Sequence, residues 1–148
     1  MKLLDVNLLI YAVNEDTPLH EPAREWLEEV LSGTEEVAFS WVVLLAFLRL
    51  STRPPVFSKP LTPPQAFDLV EGWLAQPCAR VVDPGALHVR LMRQLLAPLG
   101  SAGNLTTDAH LAALAIEHGA QLCSCDADFS RFPGLRWHNP LGKGRSRS

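Results

Sequence analysis

The sequence predicts a three-layer α/β/α sandwich with a mostly parallel central sheet, on three observations. Short apolar runs of strand length alternate with longer runs of helical periodicity, the pattern of strands joined by helical crossovers. The 148 residues fit one domain and contain no repeat or composition break that would mark a second. Acidic residues close two of the strand-like runs, at the edge of a parallel sheet where loops and helix starts converge. The single domain is assigned to residues 1–141, and residues 142–148 to a basic tail expected to be mobile.

Residues 2–4 read as a buried strand, and the chain changes at Asp5-Val6-Asn7 into a helical run ending near Val13. Over residues 21–31, Ala23, Trp26, Leu27, Val30 and Leu31 recur at helical spacing opposite Glu25, Glu28 and Glu29, with Gly33 as the stop. Residues 37–39 are strand-like, and Ser40 is placed to cap the apolar helix 41–50, which ends before Pro54-Pro55. Thr62 caps the next helix, whose first turn tolerates Pro63 and Pro64 and whose buried stripe is read as Phe67, Val70, Trp73 and Leu74. A strand at 79–82 precedes a helix carrying His88, Leu91, Met92, Leu95 and Leu96. After a loop at 100–103, read as flexible, Thr107 or Asp108 opens a helix that stops at Gly119. Residues 121–125 form a strand ending at Asp126, and 129–141 a loop with a short last strand.

At 47% hydrophobic and 20% charged, with net charge −3, the composition excludes collagen-like, disulfide-dense and disordered classes. A domain of this size buries roughly 70% of its unfolded surface, so no disulfide or structural metal is required. Cys78, Cys123 and Cys125 are read as reduced, packed thiols, since Cys-Ser-Cys lacks the gap of redox and zinc motifs. No apolar run approaches the ~18 residues of a membrane span. The acid within Met1-Lys2-Leu3-Leu4-Asp5 is unlike a secretory signal, so a cytoplasmic location is expected.

The chemistry concentrates on Asp5, Asp108 and Asp126. Singly, each is an ordinary cap or turn residue. Together they describe one acidic edge, and an acid inside Leu3-Leu4-Asp5-Val6 is costly to bury unless paired or metal-bound. Clustered carboxylates raise one another's pKa and call for a compensating cation. Hard oxygen donors select Mg²⁺, with Mn²⁺ as the alternative, in an arrangement suited to a phosphate substrate. His110 falls on a different helical face from Asp108 and is assigned to packing or solvent. His118 suits a helix C-terminus, while His20, His88 and His138 show no ligand spacing.

Four segments, in this order and spacing, resemble the PIN-domain ribonucleases, and most closely the VapC-type toxins. They are Asp5-Val6-Asn7, Gly103-Asn104 ahead of Asp108-Ala109, Ala112-Ala113-Leu114-Ala115, and Ser124-Cys125-Asp126-Ala127-Asp128-Phe129. The ending Arg131-Phe132-Pro133-Gly134-Leu135-Arg136-Trp137 with Asn139-Pro140-Leu141 resembles one VapC subgroup. The resemblance implies a Mg²⁺-dependent endoribonuclease that cuts structured RNA such as tRNA or rRNA, a homodimer, silenced by a cognate VapB-type antitoxin. It implies Asp5 and Asp108 as principal metal ligands and Asp126 completing the site directly or through water. Asn7, Asn104 and Ser124 would hold carboxylates and waters in place, and Asp128 would either contribute or cap the Phe129 turn.

Two positions depart from the family pattern. Ala46 stands where many PIN domains carry a glutamate, which lowers the charge of the site and disfavours a second ion, and Ser124 stands where threonine is frequent. The Ala46 departure motivates the alternative reading, a catalytically weakened module that binds RNA or a partner without cutting. Arg49, Arg53, Lys59, Arg131 and Arg136 are the candidates for holding RNA phosphates, on the expectation that they flank the acidic edge or its adjoining loops. Trp41, Phe47, Trp73 and Trp137 are read first as core residues and second as partner-facing aromatics.

Overall fold

The apolar runs Leu3-Leu4, Val37-Ala38-Phe39 and Leu122-Cys123 carry no alternating polar residues, as expected of strands covered on both faces. In the computed structural model, which describes residues 1–100 and 102–142, all seven side chains are buried. The elements in order are Lys2–Leu4 (β1), Val6–Val13 (α1), His20–Leu31 (α2), Val37–Phe39 (β2), Trp41–Ser51 (α3) and Pro63–Leu74 (α4). They continue with Ala79–Val81 (β3), His88–Leu96 (α5), Thr106–Glu117 (α6), Gln121–Cys123 (β4) and Trp137–His138 (β5). Short 3₁₀ turns occupy Ala97–Leu99, Gly103–Leu105 and Ala127–Arg131.

The strands form one sheet in the order β3-β2-β1-β4-β5, and every described pair is parallel. Leu3 lies opposite Ala38 on one side and Leu122 on the other. From β1 the chain steps outward to β2 and β3, then returns past β1 to β4. Right-handed crossovers therefore put α1 to α4 on one face and α5 and α6 on the other, giving three layers. The packing agrees: α1 rests on α2 and α3, α3 on α4, and α5 on α6. The reversal of direction between β1 and β4 opens a crevice at their carboxyl ends, the usual ligand position in such sheets.

Several local expectations need correction. Phe67 is 48% exposed, and the buried stripe of α4 is Ala66, Val70 and Trp73, spaced i, i+4, i+7. Trp73 stacks on Phe39 and meets the edge of Phe47. Thr62 caps α4 as expected, in a reciprocal capping box with Gln65. Ser40 occupies the N-cap of α3 but its hydroxyl makes no capping bond and is buried without a partner. β4 ends at Cys123; Ser124 N still donates to His138 O of β5, and beyond it side chains take the amides, Asn7 Oδ1 accepting from Cys125 N and Ser124 Oγ from Asp126 N. Asp126 therefore caps the Ala127–Arg131 turn and does not end a strand. α6 begins at Thr106, so Asp108 lies in its first turn and caps nothing. At its end Gly119 takes φ +65, the left-handed conformation that glycine adopts without strain.

The three cysteines are free, with Cys78 and Cys123 buried. Phe47 and Trp73 are core residues, whereas Trp41 is 50% exposed. No helix among the described residues is long and apolar enough to cross a membrane. The expected tail lies, but for Gly142, outside the described residues, as does Ser101 of the 100–103 loop.

Candidate metal centre

The end of β1, the turn after β4 and the first turn of α6 carry the predicted acids toward the β1/β4 crevice. Asp5 follows β1 and is the N-cap of α1: its Oδ1 accepts from Val6 N at 2.7 Å. Its Oδ2 accepts from Ser124 Oγ at 2.6 Å and, at 3.4 Å, from Asn7 Nδ2. Asn7 Nδ2 also donates to Ser124 Oγ at 3.1 Å, and its Oδ1 accepts from Cys125 N at 3.3 Å. Ser124 is fully buried, its hydroxyl linking Asp5 to Asp126 N. Its carbonyl accepts from Trp137 Nε1 at 3.0 Å, so the half-buried Trp137 braces the site from β5. The segments after β1 and β4 are thus stitched together by side chains wherever the sheet ladder has ended.

Asp108, Asp126 and Asp128 each offer a carboxylate oxygen, and these oxygens lie within 4.8 Å of one another. Among the described residues they are the one group of acidic, histidine or cysteine ligands gathered so closely. Asp126 Oδ1 accepts from Asp128 N at 2.9 Å, which folds the short Asp-Ala-Asp turn so that both carboxylates reach Asp108. Asp128 lies in the acidic group, and the N-cap of the Ala127–Arg131 turn is Asp126. Asp5 stands outside that group, with its oxygens turned to Val6, Ser124 and Asn7. Asn104 lies exposed in the 3₁₀ turn leading into α6.

Burial, followed by the charges of Asp126, Asp5 and Asp128, pushes the Asp108 carboxyl up to about 6. Asp5 is also raised, chiefly by burial, against the lowering effect of the Ser124 and Val6 hydrogen bonds. The crevice therefore holds more negative charge than its own groups balance. The cation nearest at hand is Arg131, whose Nε lies 3.7 Å from Asp128 Oδ1 on a half-exposed side chain. A hard divalent cation fits this donor set of carboxylates, hydroxyl and amide oxygens.

The basic candidates spread apart. Arg131 alone contacts the acidic group. α3 starts at the carboxyl end of β2 and runs back along the sheet for about 16 Å at 1.5 Å per residue, so Arg49 in its last turn and Arg53 beyond it stand away from the edge. Lys59 lines a hollow with Val13, Asn14 and Asp16 at the far end of α1. Arg136 precedes β5 and donates to Gly119 O at 2.7 Å, at the opposite, amino end of the strands. Of the five, Arg131 is the one with an ion pair to the acidic group, and helices of a parallel sheet carry their last turns away from that edge. His110 packs on α5, its Nδ1 2.8 Å from His88 Nε2.

Comparison with known proteins gives one consistent result. The family model for the PIN domain matches residues 2–135. Ribonuclease VapC37 of Mycobacterium tuberculosis is 46% identical over 140 residues, covering 95% of this chain and 97% of that protein. Ribonuclease VapC33 of the same species is 38% identical over 141 residues, covering 95% and 99%. Among solved structures, VapBC2 from Rickettsia felis bound to a promoter DNA fragment superposes with a TM-score of 0.69 at 21% identity, covering 93% of this chain and 97% of that one. DNA-bound VapBC from Salmonella typhimurium gives 0.65 at 23% identity, covering 93% and 96%.

Proposed function

From the premise that the chain belongs to the PIN domain family, we propose that it is a Mg²⁺-dependent endoribonuclease, the toxin of a VapBC-type toxin–antitoxin pair. The observation that carries the reading is the unbalanced group of Asp108, Asp126 and Asp128 beside Asp5 in the β1/β4 crevice. Asp108 and Asp126 would hold the ion, with Asp128 from the same turn and Asp5 completing the ring of charge. Mn²⁺ would serve in place of Mg²⁺, since both prefer hard oxygen donors. When bound, such an ion supplies a water of lowered pKa and neutralises charge on the scissile phosphate.

The chain's own part is positioning and exclusion. Ser124 and Asn7 fix the Asp5 carboxylate in one rotamer through their hydrogen bonds, so the ring of charge is formed before substrate arrives. Asn104, at the mouth of α6, is available to hold a water at the same place. Without a cation the four carboxylates repel the nearest RNA phosphates, so a bound metal strengthens the hold on the scissile linkage while the rest of the strand binds elsewhere on the surface. A guanidinium from an antitoxin segment would satisfy the same carboxylates and exclude metal, which accounts for silencing by a VapB-type partner. The relatives' names support RNA as the substrate, with tRNA or rRNA as the structured targets to test. Homodimerisation and a cytoplasmic location are part of the same proposal.

The test is cleavage of total RNA by purified protein with Mg²⁺, against Asp108→Asn purified identically. Cutting by the native protein alone supports the reading; equal cutting by both, or by neither, overturns it. The second reading, a binding module weakened by Ala46, is favoured if neither cuts while both retain RNA.

A further inference from the structure

Tyr11 is the only tyrosine of the chain. It lies on α1 one turn after Asn7, so the two share a helical face, and Asn7 is the residue that links Asp5, Ser124 and Cys125. Helical side chains lean toward the helix N-terminus, which carries the phenol of Tyr11 back over the turn that holds Asn7. The ring is half-buried against the core, yet among the described residues its hydroxyl has no hydrogen-bond partner and is not among the sequestered polar atoms. Burial first, and then the charges of Cys125 and Asp5, push the phenol above the ordinary tyrosine range. The side-chain donors of Asn7 and Ser124 are already taken, by Ser124 Oγ and by Asp5 Oδ2. On the α1 side of this rim the Tyr11 hydroxyl is the donor still open among the described residues.

We propose that the Tyr11 hydroxyl donates a hydrogen bond to a phosphate oxygen of the RNA strand next to the scissile linkage, making it a substrate-positioning residue beside the acidic group. A neutral O–H suits this place. A lysine or arginine here would pair with Asp5 and occupy the crevice, whereas a phenol offers one donor to an anion without competing for the carboxylates. The inference rests on the ribonuclease reading and predicts something that reading alone does not.

The experiment uses bulk tRNA as probe and the Asp108→Asn background, in which RNA survives. Fluorotyrosine labelling gives one ¹⁹F resonance, because one tyrosine is present. Addition of tRNA is expected to shift that resonance, and Tyr11→Phe in the same background is expected to weaken tRNA binding about tenfold, as for loss of one hydrogen bond to a charged group. In the nuclease-competent protein Tyr11→Phe should raise KM with kcat and melting temperature little changed. An unmoved resonance at saturating tRNA, or equal tRNA affinity of Tyr11→Phe and its parent, overturns the proposal. Failure of the native protein to cut RNA is a separate result that removes the ribonuclease reading, and the binding measurement decides Tyr11 in either case.

Discussion

The two ends of α6 each carry a polar cluster, and the clusters are built on opposite rules. At the last turn, the Glu117 carboxylate accepts from Gly85 N at 2.8 Å and Leu87 N at 3.1 Å, and His88 Nδ1 stands 4.0 Å away. His88 bonds His110, and His118 Nε2 pairs with the carbonyl of Asp83 at 2.8 Å. The amide of Gly85 leads in holding Glu117 below the ordinary carboxylate range. At the first turn, Asp108 meets three further carboxylates and is pushed up to about 6. The helix dipole alone would do the reverse, favouring an anion at the first turn and disfavouring one at the last. Local groups override it at both ends. The cluster at the last turn closes on donors of its own chain, save at the buried His88 Nδ1, which has no hydrogen-bond partner, whereas the one at the crevice is left short of positive charge.

The sharpest way to break this contrast is to neutralise each cluster in turn. Asp108→Asn is expected to reduce RNA cleavage by about a hundredfold to a thousandfold, the range for losing one preorganised electrostatic group. The same substitution should raise the melting temperature of the metal-free protein, because it removes repulsion that the fold tolerates for the sake of the site. Glu117→Gln should do the opposite: an amide keeps a single acceptor oxygen for the Gly85 and Leu87 amides, so the melting temperature falls while cleavage persists. If Glu117→Gln abolished cleavage at an unchanged melting temperature, the division of α6 into a structural end and a functional end would be wrong.

Acidity sharpens the contrast further. The folded pKa of Asp108, about 6, is above its ordinary 3.8, so the folded state holds the proton more tightly than the unfolded chain. Its contribution to stability is therefore fully present below 3.8 and is lost as pH rises through about 6. Glu117, lowered in the fold, contributes stability at neutral pH that is lost as pH falls through its folded value. Bound Mg²⁺ must displace the Asp108 proton, so the rise in melting temperature that Mg²⁺ produces should shrink below pH 6 and vanish in Asp108→Asn. Thermal melts with and without Mg²⁺ across pH 4–8 measure this; a Mg²⁺ effect independent of pH would place the ion away from Asp108.

How much of this is legible in the sequence follows from the range of each signal. Strand and helix alternation is local, and apolar Leu3-Leu4 and the stripe of α2 declare themselves within a few residues. The approach of Asp108 to Asp126 is long-range, yet readable, because a parallel sheet brings the segments after its strands to one edge, while Asp5 stays outside the closest group. The phase of α4 was not readable: Ala66 and Phe67 are neighbours, both apolar, and only tertiary packing decides which faces Trp73 and the sheet. Periodicity likewise does not say how far a helix carries its last turn, and the basic residues on it, from the edge. Asp128 was underweighted because its contribution depends on Asp126 Oδ1 accepting its amide, a bond with no sequence pattern longer than Asp-Ala-Asp. The closed cluster of Glu117, His88 and His110 left no sequence signal beyond three polar residues on helices.

The smallest effect is expected at the boundary of the acidic group, where Asp128 is half-exposed and Arg131 stands 3.7 Å away. An exposed ion pair contributes about 0–1 kcal/mol, so Asp128→Asn should alter folding stability by less than about 0.5 kcal/mol in urea denaturation. The carboxylate nonetheless lies within 4.8 Å of oxygens from Asp108 and Asp126, so its removal should weaken Mg²⁺ binding severalfold in a calorimetric titration. The split between an unmoved stability and a reduced affinity is what distinguishes a residue of the open cluster from one of the closed cluster, where the two clusters would otherwise look alike as groups of polar side chains on one helix. Unchanged Mg²⁺ affinity in Asp128→Asn would shrink the site to Asp108 and Asp126 with Asp5, and would leave Arg131 as the reason Asp128 is held where it is.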